Sequence, residues 1–140
     1  KLAEPGRDRE FLVLESGVRF HSIRFELDKN PMPSGFSMKL RKHLRTKRFE
    51  DLRQLGTDRV VILSFGVGES RNHVILEMYS QGNIVLTGPD YTILALLRVH
   101  DYDSGASARV GAVYPLADAT TVALHAPLVE KSTLEQQQQQ

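Results

Sequence analysis

Residues 58–100, DRVVILSFGVGESRNHVILEMYSQGNIVLTGPDYTILALLRVH, decide the fold. They hold four apolar runs of strand length: 58–65, 73–79, 84–87 and 91–100. A loop over 66–72, the turn Gln81-Gly82-Asn83 and the turn Gly88-Pro89-Asp90 separate them. Short connections with this chemistry join antiparallel neighbours, so the stretch reads as a β-meander.

Working outward, residues 11–15 form a short apolar strand, Ser16-Gly17 a turn and 18–26 a second strand. In that strand Val18, Phe20 and Ser22 face one way, Arg19, His21, Ile23 and Phe25 the other. Neither side is cleanly polar, so both are expected to be partly covered. Asn30-Pro31-Met32-Pro33 forces a loop. Past the meander, 101–108 is small and polar, hence a loop; 110–116 is a short apolar piece; 121–134 has a weak amphipathic pattern. Strands, then one helix, then a meander give an α+β class with a sheet-rich core.

The chain has 140 residues, enough for one domain, with 41% hydrophobic and 25% charged residues. It has no Cys, which removes disulfides, thiolate zinc sites and thiol nucleophiles together. No apolar run reaches the ~18–20 residues that span a bilayer. The chain opens at Lys1, and its first strand reads as half of a hairpin, so a fragment with residues missing upstream is expected. The expected organisation is a domain over 1–120, truncated at its N-terminus, a helix or linker over 121–135 and a glutamine tail over 136–140.

Charge is concentrated in PSGFSMKLRKHLRTKR, residues 33–48. Lys39, Arg41, Lys42, Arg45, Lys47 and Arg48 fall here, with no acid before Glu50. Net charge is only +1, so the rest of the chain is net acidic. Ser34 is placed to cap a helix running to about Arg48. Helical geometry puts Phe36, Leu40 and Leu44 on one stripe and Arg41, Lys42, Arg45 and Arg48 on the opposite arc. Lys47 points toward the apolar side, from which its amine can snorkel. Four cations on one face, with no acid at i+4, suit a phosphate backbone; the plainer alternative is a solvated helix face. Asp58-Arg59 opens a strand and can offer an acceptor and a donor to a base edge or a 2′-hydroxyl, or be a surface ion pair.

Other candidates are weaker. The five histidines show no metal-ligand spacing. Ser34 lacks the G-x-S-x-G frame, and Gly66-Val67-Gly68 lacks the lysine of a phosphate loop. Asp101 and Asp103 are two carboxylates in a Gly/Ser loop, and Tyr79, Tyr91 and Tyr102 are either stacking platforms or half-buried packing. No catalytic constellation, cofactor or metal is expected.

Five strings in order, LVLESGVRFH (12–21), MPSGFSMKLRKHL (32–44), QLGTDRVV (54–61), GNIVLT (82–87) and YPL (114–116), resemble the NFACT N-terminal domain of the eukaryotic nuclear export mediator factor family, the ribosome quality control factors. The likeness covers roughly 10–118 and is closer to the eukaryotic branch than to the bacterial fibronectin-binding homologues. It implies an antiparallel, β-sandwich-like core with flanking helices, akin to the N-terminal domain of formamidopyrimidine-DNA glycosylases. It implies binding to a stalled large ribosomal subunit and recruitment of alanyl- and threonyl-tRNA for mRNA-independent C-terminal tailing, the ribosome itself making the peptide bonds. It also implies support for a listerin-type ubiquitin ligase and a cytoplasmic, or also nuclear, location. Asp58 and Arg59 match the family's Asp-Arg pair placed against tRNA. The family's N-terminal helix, with its own Asp, would lie upstream of Lys1. The rival readings are a glycosylase-like nucleic-acid-modifying enzyme and a protein-interaction scaffold.

Overall fold

A computed structural model describes residues 10–24, 32, 34–55, 59–79, 81–102 and 105–116. The element order is β1 (Phe11–Glu15), β2 (Arg19–Ile23), α1 (Gly35–Leu44), β3 (Phe49–Gln54), β4 (Val60–Phe65), a 3-10 turn at Gly68–Ser70, β5 (Asn72–Glu77), β6 (Asn83–Thr87), β7 (Ile93–Leu96), β8 (His100–Asp101) and β9 (Ser107–Ala108). Strands β3 to β7 form one antiparallel sheet in chain order. The expected meander is therefore present, and β3 extends it at one edge. Apolar patterning gives no signal for β3, because FEDLRQ carries a charge or an amide at four of six positions. The expected loop over 101–108 also carries β9 and Asp101 of β8, whose other residue is His100, and the two strands pair with each other.

Alternation divides the central strands between two cores. Val60, Ile62, Ile75, Val85 and Ile93 look one way, toward Leu55, Ala108 and Tyr114. Leu63, Val74, Leu76, Ile84 and Leu86 look the other, where α1 and the β1–β2 hairpin cover them. Every residue of β5 and β6 is buried, as near-continuous apolar runs require. The described residues thus make one five-stranded sheet covered by small elements, with a single α-helix, rather than two sheets of similar size.

The first face also buries polar groups. Glu77, 2% exposed, accepts the hydroxyls of Tyr79, Tyr102 and Tyr114 at 3.0, 2.7 and 2.7 Å, all on Oε2. These bonds fasten the segment after β7 onto β5. Burial, reinforced by Glu77, pushes the Tyr102 and Tyr114 hydroxyls far above the ordinary tyrosine range, so both stay protonated donors.

The GNIVLT string has a packing reason. A Cβ on Gly82 (φ 75°) would lie 2.2 Å from Gly17 N and 2.5 Å from Ser16 C, at the tip of the β1–β2 hairpin. Arg98 donates to Gly82 O at 2.8 Å, while the Asn83 side chain accepts from Arg98 N at 3.1 Å and donates to its carbonyl at 2.9 Å.

Candidate nucleic-acid interface

Helix α1 is anchored along one stripe. Ser34 caps it, accepting from Ser37 N–H at 3.1 Å. Phe36, Leu40 and Leu44 are half-buried against the Leu63–Leu86 core. Lys39, Arg41 and Lys42 are exposed, as is Arg45 at the C-cap. Among the described residues, none of these four joins an ion pair. Two opposing terms decide what the fold gains from them. Cations in the last turn favour the helix dipole by about 0.3–1 kcal/mol each. Like charges three and four residues apart oppose one another by about 0.2–0.5 kcal/mol per pair. The terms nearly offset, so the cluster does little for the domain's own stability. His43 registers the local field: burial, then Lys42, Lys47 and Lys39, hold its imidazole below the ordinary value.

The helix stops at Leu44, short of the expected limit at Arg48. Thr46 adopts φ 69°, and Lys47 N–H donates to Leu44 O at 3.1 Å. The left-handed turn is uncommon for a β-branched residue. It coincides with an anchor: Lys47 Nζ donates to the Ser70 carbonyl and to Asn72 Oδ1 at the start of β5. Lys47 is thus held inside instead of snorkelling outward. Arg48 leaves the helical arc, stays 86% exposed along its side chain and faces Glu50 at 3.8 Å, a contact worth about 0–1 kcal/mol. The expected phosphate-binding set therefore splits: Lys39, Arg41, Lys42 and Arg45 share the helix and its cap, and Arg48 sits beyond the turn.

Arg59 is exposed just before β4, and its carbonyl accepts Met78 N–H at 2.7 Å. Asp58 lies outside the described residues, so the Asp-Arg pair is placed at one member only. The end of α1 meets the other end of β4, where Gly66 N–H donates to Arg48 O at 2.8 Å. Six strand residues intervene, about 20 Å. Arg59 and the C-terminal end of α1 thus stand at opposite ends of β4.

The tyrosines proposed for stacking are engaged internally, Tyr79 and Tyr102 on Glu77, and Tyr91 on His73 at a ring separation of 4.2 Å and an interplanar angle of 2°. Asp101 accepts from Ser107 and Arg109 at 2.7 and 3.3 Å; Asp103 and residues 121–140 lie outside the described set.

One buried polar cluster has little signature in the sequence. Ser64 Oγ and His73 Nδ1 are 2.7 Å apart across β4 and β5, and Arg53 donates to the Tyr91 hydroxyl at 2.9 Å. Burial, then Arg71 and Arg53, lower the His73 pKa, while a hydrogen bond to the Pro89 backbone and the Asp51 charge oppose them. The available signal was Ser64 in one apolar run and His73, with Glu77, in the next. Ser64 and His73 are 1% and 2% exposed, so the pair has no access to a substrate as a nucleophile and base. Among the described residues no group of three or more His, Asp or Glu side chains is arranged to hold a metal ion, and no helix is long and apolar enough to cross a membrane. Between α1, the β1–β2 hairpin and the sheet runs a groove of about 1260 Å³ lined by Leu12, Leu40, Leu63 and Phe65, with Arg41 and Arg45 on its rim.

A five-stranded meander carrying a capped cationic helix on one face defines the class: an α+β domain with a positive ridge. A profile of the family described as "NFACT N-terminal and middle domains" matches residues 2–123, and the chain belongs to that family. It is 56% identical over 89 residues to the "Ribosome quality control complex subunit NEMF homolog" of Drosophila melanogaster, a stretch covering 64% of this chain and 9% of that protein. Against the human "Ribosome quality control complex subunit NEMF" identity is 53% over 87 residues, 62% of this chain and 8% of that one. The chain thus spans about a tenth of the length of these relatives. The N-terminal structure of the fibronectin/fibrinogen-binding protein from Streptococcus suis shares the fold, with a TM-score of 0.62 at 23% identity over 74% of this chain and 43% of that one.

Proposed function

We propose that this chain is an RNA-contacting module of a ribosome-associated quality control factor. The observation that carries the reading is the set of exposed cations on α1 and its cap, which form no ion pair among the described residues and which the fold itself barely uses. The names borne by the relatives supply the setting. In this reading Lys39, Arg41, Lys42, Arg45 and Arg48 meet rRNA or tRNA phosphates, while Asp58 and Arg59 contact tRNA. The factor binds stalled large subunits, recruits alanyl- and threonyl-tRNA for C-terminal tailing and supports a listerin-type ligase in the cytoplasm, or also the nucleus. It is not itself an enzyme, since the ribosome makes the peptide bonds. Kinship with glycosylases rests on fold analogy alone and says nothing about base excision.

The test is filter binding of tRNA and rRNA fragments to the full-length protein across a salt series. Arg41→Ala with Arg45→Ala should weaken RNA binding broadly and flatten the salt slope by about 1.4, at ~0.7 per single-strand phosphate. Arg59→Ala should alter selection among tRNAs. Equal, salt-independent affinity in all variants would remove the reading.

A further inference from the structure

Met38 lies on the wrong side of α1 for a core residue. It is 58% exposed, and Phe36, Leu40 and Leu44 already make the stripe that meets the core. A lone exposed methionine is ordinary on a protein surface; this one is set apart by its neighbours. Arg41, Lys42 and Arg45 follow it at i+3, i+4 and i+7, so successive turns place all four on one face, with about 5–6 Å between adjacent Cβ atoms. All four are exposed, and α1 itself holds no acid; the next in the chain is Glu50, which faces Arg48. A helical side chain leans back toward the N-terminus. Behind Met38 stands Gly35, where an added Cβ would meet no atom within 4 Å, and Ser34, four residues back, is engaged with Ser37. The first turn therefore leaves the thioether open.

We propose that Met38 packs against an unpaired base, so that the α1 ridge selects single-stranded or looped RNA over duplex. The inference rests on the RNA reading of α1 and narrows its ligand. A phosphate can meet the three cations but has nothing to offer a thioether. A nucleobase has: its flat face accepts a polarisable sulfur and methyl as it accepts other apolar platforms. In an A-form duplex the base faces are stacked on one another, and only edges show in the grooves. In a loop or an unpaired strand the faces are open. A strand laid along this face can put phosphates on Arg41, Lys42 and Arg45 and turn a base onto Met38.

The probes are an unstructured RNA oligonucleotide and a blunt RNA duplex with the same number of phosphates, each bound to the full-length protein. The first readout is oxidation by dilute hydrogen peroxide, which converts a methionine thioether to its sulfoxide while the peroxide becomes water. Met38 and Met32, 58% and 80% exposed, should both react in the free protein. The single strand should slow Met38 severalfold and leave Met32 unchanged, and the duplex should protect Met38 less. The second readout is filter binding across a salt series. Met38→Ala should weaken single-strand binding about two- to tenfold, keep its salt slope and leave duplex binding unchanged. Met38→Leu should recover part of the affinity. Met78, packed against the sheet, should oxidise at the wild-type rate in each variant, which checks the fold. Oxidation of Met38 that neither RNA slows, or an equal loss of both RNAs in Met38→Ala, overturns the inference. A flat salt slope removes the helix reading and this inference with it; a steep slope with Met38 unshielded removes this inference alone.

Discussion

The two faces of the sheet handle polarity in opposite ways. On the α1 side the core is apolar apart from Asn72, which holds Lys47, and Lys39, Arg41, Lys42 and Arg45 stand exposed on the helix and its cap. On the other side the polar groups are inside, and most answer one another: Glu77 with three tyrosines, Ser64 with His73. A charge in water can change with little consequence for folding, whereas a buried polar group is tied to every partner it satisfies. Substitutions in the buried clusters should therefore change stability, and substitutions of the exposed helical cations should change RNA affinity.

The largest effect belongs to Glu77→Ala. It leaves three tyrosine hydroxyls without their acceptor at about 1–3 kcal/mol for each one that stays buried. Urea unfolding should show a loss of about 3–5 kcal/mol, and a loss under 1 would break the contrast. Gly82→Ala comes next. The new methyl meets the hairpin tip in a left-handed backbone conformation, so a loss of about 2–4 kcal/mol is expected, with faster proteolysis near Ser16–Gly17.

A smaller effect is tied to acidity. Burial, Arg71 and Arg53 hold the His73 imidazole below its ordinary value of 6.5. As pH falls, the unfolded chain takes up this proton first. Stability present above about pH 6.5 should then decline as pH drops toward the native pKa, and His73→Gln should flatten that decline in thermal melts. The smallest effect is Arg41→Ala with Arg45→Ala, within about 0.5 kcal/mol in unfolding despite its effect on RNA. A large loss of stability there would mean that the cations serve the fold after all.

Much of this was legible in the sequence. The meander could be read because β4, β5 and β6 are apolar and their turns carry Gly, Asn and Pro. The helix start could be read because Ser34 is a good cap with Phe36, Leu40 and Leu44 behind it. The helix end was not, since nothing in RTKR announces a left-handed threonine; a lysine anchored 25 residues further on accompanies it. β3 was hidden because few of its residues are apolar. The Glu77 and His73 clusters depend on register, which places residues from separate strands side by side, and local spacing carries no trace of that. Of the candidate site, the helical cations were legible, while the inward anchoring of Lys47 on Ser70 and Asn72 was not.

Strand β3 has one further consequence. In the sheet order it is outermost, its register is interrupted between Phe49 and Asp51, and it carries Glu50, Asp51 and Arg53. An irregular, charged border of this kind is a poor template for a second chain seeking to extend the ladder. This border of the sheet is therefore shielded against edge-to-edge pairing with a second copy.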